Sequence, residues 1–522
     1  HETWIGEADR LRHLQEAAAA AREFRAFCLE NSLLDLSLVV EVFDTQLVQH
    51  AEFRRYFSER YRHLIVDNVE EQTPAGQNLI KQLMDAAQTS AIAYDAGGGY
   101  KRFLAADPLG ANQFRGRCQS VYEFKQPFNI PPAMTDLANL VENYLMHTRK
   151  PAAAAGEAIT HVVVGRYRRE MVDRLVLLLS ELTGQAQIPP DQIAIITPYL
   201  DGALRYMLAN TLAEAGLPHN LLRRRSSPRE EPRVRAWLTW LALAHPDWNV
   251  SPAPYDVAEA LSLSIHDLDP ARAQLLTDQL YQAEAPMLRP VSELPEAVIA
   301  RVGRGTVGLV EELRLWLDAQ NGRVPIDFFL HRLFDQLLSQ RRFQPEPDLP
   351  GAAVCDWLVK SATRLRQSAE AIGLHTAAEV GRAFITGINQ GLVTANPPEL
   401  GAPSNPEGIT ISTIYGFLLG GRAVRVQVWL ETAATGWWDI PNQPLSNAFI
   451  LARSRDPSLA WTAEEDFAIR NQLLSRIVRG LVNRCAEAVI LANSDLDRRG
   501  QRQAGPLWRA LQPLLAAAPA GE

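Results

Sequence analysis

The sequence has few cysteines and no long apolar run. Its four cysteines are scattered singly through 522 residues, so no pair has the spacing of a zinc or iron–sulfur ligand set. No apolar run reaches the length that a membrane-spanning helix needs, and no signal-peptide pattern opens the sequence. These absences predict a reduced, cytoplasmic setting and no membrane partner.

Lysine is also scarce. Of the 52 lysine and arginine residues only five are lysine, and none of the five follows a glycine: Lys81, Lys101, Lys125, Lys150 and Lys360. The phosphate-binding motif GxxxxGK[ST] therefore does not occur in this sequence. The net charge of −8 argues against a uniformly basic nucleic-acid binder, although it leaves room for a local basic groove.

Strand-like and helix-like apolar patterns alternate at both ends of the chain. Strands are predicted at 63–66, 90–94, 161–167, 192–199, 409–413, 424–430 and 488–492. Helices are predicted at 7–30, 32–43, 74–86, 132–148 and 464–483, and in two segments that end at Gly184 and Gly216. The block from 232 to 403 is helical without a convincing strand. The pattern predicts an α/β protein with a parallel sheet and an all-helical insertion.

The stretch "HLIVDNVEEQTPAG" combines a buried strand with a polar loop. The strand ends in Asp67, the place where an NTPase holds its magnesium ion, but the following Asn68 cannot accept a proton from water. An aspartate at a strand end also commonly caps a loop or a helix. From these residues alone, a metal ligand and a cap both remain open for Asp67.

Six segments, in order, resemble the motifs of the UvrD/Rep branch of superfamily 1 DNA helicases. They are "LIVDNVEEQTPAG", "YDAGGGYKRFLAADP", "FKQPFNIPPAMTDLAN", "QIAIITPYLDGAL", "ITISTIYGFLLGG" and "RGLVNRCAEAVIL". The resemblance covers roughly residues 25 to 495. It implies two RecA-like domains of the P-loop NTPase type, the first one incomplete and the second interrupted by the helical insertion.

The resemblance also implies where the domains begin and end. Residues 1–120 match a remnant of the first RecA-like domain with a helical N-terminal part, and 121–231 match the first part of the second domain. The insertion then occupies 232–403. The second domain resumes over 404–500, and 501–522 is left as a C-terminal tail.

The residues that fall on the family's nucleotide site are mostly replaced. Asp67 falls on the magnesium-associated aspartate, Asn68 on the catalytic glutamate and Arg484 on the γ-phosphate arginine. Gln126 is retained, while Asn129 replaces a phosphate-binding arginine. Gly98 and Leu104 likewise replace the sensor glutamine and a further arginine. ATP and Mg²⁺ are therefore expected only if a missing N-terminal portion supplies the phosphate loop. Arg484 has an alternative interpretation as a helix-end charge.

The resemblance places four residues on motifs that grip single-stranded DNA: Arg102, Phe103, Thr410 and Ser412. Phe103, between a strand and a helix, has core packing as its alternative interpretation. Tyr415 replaces a histidine of these motifs. The adjacent Trp437 and Trp438 are hard to bury as a pair, so one of them is a candidate contact for a partner or a base.

The expected function is that of a helicase-like protein that is inactive as an ATPase motor. It would bind single-stranded DNA, or act as a scaffold beside a helicase or nuclease partner subunit, in DNA repair or recombination. The alternative is an active ATP-dependent helicase whose phosphate loop lies upstream of His1. An unrelated α/β enzyme is a remote third interpretation, since no nucleophile–histidine–acid set or dinucleotide fingerprint supports it.

Overall fold

The chain forms α/β structure at both ends and helical structure between them. The computed structural model describes residues 8–124, 130–146, 157–221, 227–284, 286–320, 324–393, 407–439, 448–450, 452–453, 455–456, 458–459, 461–497 and 499–515. The described residues divide into two compact units. One comprises those of His1–Leu222 and Ser404–Glu522, and the other comprises those of Arg223–Pro403.

The first unit begins with helices and a small sheet. Its elements are α1 (Ala8–Glu30), α2 (Leu36–Val42), α3 (Ala51–Arg60), β1 (His63–Val66), α4 (Pro74–Ala86), β2 (Thr89–Ile92) and α5 (Pro108–Ala111). The helix predicted at 32–43 starts only at Leu36, because the Asp35 side chain caps it and accepts a hydrogen bond from the Leu38 amide. A π-helical turn, Phe43–Leu47, follows α2.

Strands β1 and β2 run parallel, with Leu64 opposite Ser90. Helix α4 connects them, and Thr73 caps α4 by accepting from the Gly76 amide. One face of the two strands packs on a small core around Val69, Ile80 and Phe114. The predicted strand and helix at 63–66 and 74–86 are therefore confirmed.

The next part of the first unit supplies three strands and three helices. They are α6 (Pro132–Leu145), β3 (Ile159–Gly165), α7 (Arg168–Gly184), β4 (Ile193–Thr197), α8 (Gly202–Glu214) and β5 (His219–Leu221). Helix α7 ends at Gly184 as predicted. Gly216, which follows α8, has a φ of 70°, a conformation that glycine adopts without steric strain.

The second unit is built from eight helices of at least seven residues. They are α9 (Pro232–Leu243), α10 (Pro254–Ser264), α11 (Pro270–Leu280), α12 (Glu296–Val302), α13 (Arg304–Asp318), α14 (Ile326–Leu333), α15 (Leu349–Ser368) and α16 (Ala377–Asn389). Trp237 and Trp240 are buried in its core. The expectation that this block lacks strands needs one correction, because Tyr281–Gln282 (β6) pairs antiparallel with Met287–Leu288 (β7).

After the helical unit the chain returns to the sheet of the first unit. The remaining elements are β8 (Ile409–Thr413), α17 (Ile414–Leu419), β9 (Val424–Leu430), α18 (Ala463–Val482), β10 (Cys485–Ser494) and α19 (Pro506–Leu515). Six strands form one parallel sheet in the order β3-β10-β9-β4-β8-β5. The prediction of an α/β protein with a parallel sheet is confirmed.

Both faces of the six-stranded sheet are covered by helices. Successive residues of β4 point to opposite sides, so that Ile196 packs among α6, α17 and α18 while Ile195 packs among α7 and α8. Helix α19 packs on the same face of the sheet as α6, α17 and α18, through Leu507 and Leu511. Residues 506–515, which the sequence left in a tail, are therefore a packed helix.

Two glycines on α16 provide a matched test of the packing in the helical unit. A methyl group at Gly381 would overlap the ring of Trp248, whereas Gly387 has nothing within 4 Å of that position. We expect Gly381→Ala to lower the free energy of unfolding by about 2 kcal/mol. Gly387→Ala should raise it by up to about 1 kcal/mol, because alanine favours helix. Urea unfolding followed by tryptophan fluorescence measures both, and equal effects would contradict the packing.

Candidate functional site

The carboxylate of Glu71 binds three consecutive backbone amides. Its Oε1 accepts from the Gly99 amide at 2.9 Å and the Tyr100 amide at 2.7 Å, and its Oε2 accepts from the Lys101 amide at 2.9 Å. Converging amides of this kind are how loops bind phosphate. Here the chain's own carboxylate occupies the amides, in the segment that resembles the helicase motif with the sensor glutamine.

The neighbouring Glu70 is buried beneath the same loop, with only 1% of its surface exposed. Its Oε2 accepts from the Asp95 amide at 3.0 Å. Burial raises the pKa of Glu70, and the Asp95 hydrogen bond opposes that shift. A side chain at Gly98 would approach Oε1 of Glu70 to 2.8 Å. Any larger residue at position 98 would therefore require the Glu70 side chain to move.

Helix α18 closes over the loop with arginines. Arg476 donates from Nη1 to the Gly98 carbonyl at 2.5 Å, and Arg479 forms an ion pair with Glu142 of α6. The Tyr100 ring is buried against Gly480 of the same helix. The loop is consequently held from one side by Glu71 and from the other side by α18.

Arg484 lies at the end of α18 and interacts with its own helix. Its Nη1 donates to the Gly480 carbonyl at 2.9 Å, and its guanidinium lies 5.9 Å from the centre of the Tyr100 ring. A cation in this position stabilises the negative end of the helix dipole. The arrangement matches the helix-end interpretation of this residue.

Asp67 and Asn68 lie exposed at the end of β1, where the sequence placed them. Asp67 accepts from the Asn68 amide at 2.9 Å, and Asn68 adopts a left-handed φ of 51°. Among the described residues no group of three histidine, cysteine, aspartate or glutamate side chains could hold a metal ion. A single aspartate holds a nucleotide-bound magnesium ion only together with the phosphates and the hydroxyl of a phosphate-binding loop, and the sequence contains no GxxxxGK[ST] to supply them.

Two further predicted nucleotide contacts, Gln126 and Asn129, lie in 125–129, outside the described residues. The four predicted DNA contacts are described, and each is engaged by the chain itself. The Arg102 guanidinium lies 4.7 Å from the centre of the Phe449 ring, and burial lowers the pKa of Arg102. Phe103 packs edge-on against Tyr415, with 4.8 Å between the ring centres.

The side chains of Thr410 and Ser412 are both buried. Their strand β8 lies between β4 and β5, and helices cover both faces of this sheet. The Thr410 hydroxyl accepts from Arg422 at 3.2 Å, and the Ser412 hydroxyl donates to the Thr413 carbonyl at 3.1 Å. These hydroxyls are not exposed to a DNA backbone.

The adjacent tryptophans differ in burial. Trp437 is buried and donates from Nε1 to the Leu430 carbonyl at 3.1 Å. Trp438 is half-buried, donates to Asn471 at 2.8 Å, and carries the Arg470 guanidinium 4.9 Å from its ring centre. The expectation that the pair is not wholly buried agrees with this geometry.

Sequence reasoning missed the two side chains that organise the site, Glu71 and Arg476. The only signal was the glycine triplet Gly97–Gly99 after a strand, which indicates a loop that something approaches closely. A scan of the chain against models of known protein families gives no match, and a search of curated proteins also gives none. Among the described residues no helix is long and apolar enough to cross a membrane.

Removing the Glu71 carboxylate tests its part in holding the loop. We expect Glu71→Ala to lower the free energy of unfolding by about 3 kcal/mol, because three amides lose their acceptor in a half-buried site. Glu71→Gln should cost less, since one oxygen remains. The control Glu59→Ala, at an exposed residue, should change stability by less than about 0.5 kcal/mol. Equal effects of the two alanine variants in urea unfolding would refute the assignment.

The raised pKa of Glu70 predicts a pH-dependent effect of Glu70→Gln. Folding raises the pKa of this carboxyl group, so its ionisation is less favourable in the folded state than in the unfolded state. The cost is absent below the ordinary glutamate pKa and develops as the pH rises through the folded value. The variant, which keeps an oxygen for the Asp95 amide, should therefore gain stability relative to wild type between pH 4 and neutral pH. A stability difference that does not vary with pH would contradict this prediction.

Proposed function

We propose that this chain is a helicase-like protein resembling UvrD/Rep that does not hydrolyse ATP and acts as a scaffolding subunit in DNA repair or recombination. One observation carries the proposal. The loop that matches the nucleotide-sensing motif is bound by the chain's own side chains, with Glu71 on its amides and Arg476 on the Gly98 carbonyl.

The chemistry of phosphoryl transfer supports an inactive site. Hydrolysis requires a phosphate-binding loop with its lysine, a magnesium ion, an oriented water and arginine charge on the transferred group. The sequence contains no GxxxxGK[ST], and Asn68 cannot replace a general base, whose contribution is typically about 10²–10⁴-fold. Arg484 donates to its own helix rather than standing free.

The architecture is compatible with the proposed family. The parallel order β3-β10-β9-β4-β8-β5, with the helical unit entering between β5 and β8, supports a second RecA-like domain that carries an insertion. The β1–β2 pair with α4 supports a remnant of a first such domain. The acidic composition and the internal use of Arg102, Phe103, Thr410 and Ser412 favour a protein partner over DNA.

Single-stranded DNA is the second candidate ligand because of a group of aromatic rings. Tyr199 is 58% exposed, and it lies near enough to Tyr415 to add to the effect of burial in raising the pKa of that phenol. With Phe103 edge-on against Tyr415, three rings lie near one another at the carboxyl ends of β4 and β8. Exposed aromatic rings are the platforms on which bases stack.

A nucleotide titration tests the inactive site. We expect a fluorescent ATP analogue with magnesium to show no saturable binding at micromolar concentrations, because the amides of the loop are occupied. Asp67→Ala should leave this result unchanged. Magnesium-dependent micromolar binding, or ATP hydrolysis stimulated by DNA and lost in Asp67→Ala, would overturn the proposal.

A DNA titration of the same protein distinguishes a scaffolding function from single-stranded-DNA binding. Labelled single-stranded DNA is titrated at low and moderate salt with wild type, Tyr199→Ala and Phe103→Ala. A scaffold predicts no binding at low salt. Binding that falls steeply with salt and weakens about ten-fold in either variant would establish the DNA-binding candidate instead.

A further inference from the structure

His245 lies in the core of the helical unit. It joins the end of α9 to the turn Pro246–Trp248, and none of its surface is exposed. The other histidines of this unit are all exposed: His266, His331 and His375. Because histidine changes its charge between about pH 5 and 8, a buried histidine makes the stability of the core around it depend on pH.

The hydrogen bonds of the imidazole ring determine where its proton lies. Nδ1 is 2.9 Å from the carbonyl oxygen of Leu241, which can only accept, so Nδ1 carries the hydrogen. In the neutral ring Nε2 is then an acceptor, and among the described residues it has no hydrogen-bond partner. Protonation of Nε2 would therefore create a positive charge and an unpartnered donor in the core.

Aromatic rings enclose the imidazole. It stacks on Trp248 with 4.0 Å between the ring centres, and it lies edge-on to Phe329 of α14 at 5.2 Å. The indole N–H of Trp248 only donates, so it cannot accept a hydrogen bond from a protonated imidazole. Trp248 in turn packs against Gly381 of α16. The imidazole thus lies where α9, α14 and α16 meet.

The charged groups of these elements do not offer a partner for the proton. Asp247, on the same turn, is exposed, and its charge favours the protonated ring. Burial is the larger effect, and it lowers the pKa of His245. Asp327 of α14 pairs with Arg366. Within the described residues, no bond to the imidazole comes from the remaining charged side chains of α14 and α16, which are His331, Arg332, Glu379 and Arg382.

Protonation is consequently favourable only when the core opens. In the open unit water solvates the imidazole, which then has the ordinary histidine pKa of about 6.5. Well above this pH the ring is neutral in both forms, and the proton has no effect on stability. Below it the open form binds a proton that the closed form excludes, so the opening equilibrium rises by up to about ten-fold per pH unit.

We propose that His245 makes the helical unit an acid-sensitive element of the fold. On acidification the packing of α9 on α14 and α16 loosens, and the open form is held by the proton at Nε2. Among the described histidines of the first unit none is buried, and the buried Glu70 of that unit responds to acid in the opposite sense. The response therefore belongs to the helical unit alone, and it does not rest on the proposed function.

Hydrogen exchange of the full chain, followed by mass spectrometry, tests the proposal. Exchange rates measured between about pH 7.5 and 5.5 are divided by the intrinsic rate at each pH, which gives the opening equilibrium. For the slowest amides of α9 and α14 we expect this equilibrium to be about ten-fold larger at pH 5.5 than at pH 7.5. The amides of β4 and β8 are the internal reference, and their opening should change by less than about two-fold.

Two glutamine substitutions locate the titrating group. His245→Gln keeps a donor for the Leu241 carbonyl but does not titrate, so the rise on acidification should disappear. The matched control His331→Gln, at an exposed histidine of α14, should keep the full rise. Circular dichroism checks that each variant is folded. If His245→Gln is not folded, the wild-type series and His331→Gln decide, because a rise that is absent from wild type or lost in His331→Gln contradicts the proposal.

Three results would overturn the inference: the same pH dependence for α9 as for β4 and β8, a rise that persists in His245→Gln, or slower exchange of α9 at acidic pH. The last result would show that the face of the Trp248 ring stabilises the imidazolium by a cation–π interaction. The nucleotide and DNA titrations measure binding and involve other residues. Failure of the acid-sensitive element can therefore be told from failure of the proposed function.

Discussion

The carboxylate of Glu71 is the constraint on which the site depends. Three consecutive amides that converge on one point must find an acceptor, since an unsatisfied buried amide costs about 1–3 kcal/mol. Glu71 is that acceptor, and the loop of 97–104 consequently folds back onto the end of β1. Arg476 then reaches the Gly98 carbonyl from α18. A phosphate could use these amides only by displacing a carboxylate of the chain.

The glycines of the loop and the two glutamates below it depend on one another. Gly98 leaves the space that Glu70 fills, and Gly99, with a φ of 88°, has the backbone conformation that turns its amide towards Glu71. A glutamine at position 98 would collide with Glu70. The small residue at position 98 and the burial of an acidic side chain beside it are thus two aspects of one local arrangement.

The apolar periodicity of the sequence predicted the positions of helices and strands more reliably than it predicted which strands pair. The strand at 63–66 and the helix at 74–86 were located within a residue, because proline and threonine mark the helix start and an apolar run marks the strand. The place of β8 between β4 and β5 could not be predicted, since it depends on pairing across the helical unit, and the burial of Thr410 and Ser412 follows from that place. Asp67 was located correctly at its strand end. Glu71 and Arg476 were missed because the hydrogen bonds of Glu71 span 28 to 30 residues and that of Arg476 spans 378, and such separations leave no local pattern.

The distribution of arginine determines which kind of partner the proposed scaffold favours. Arg102, Arg470, Arg476 and Arg479 all interact with rings, carboxylates or carbonyls of the same unit, so their charge contributes little to attracting phosphates. A nucleic-acid track requires basic side chains free to exchange their counterions for phosphates. Because these arginines are bonded within the unit and the chain as a whole is acidic, a polypeptide matches the proposed scaffold better than a nucleic-acid backbone does.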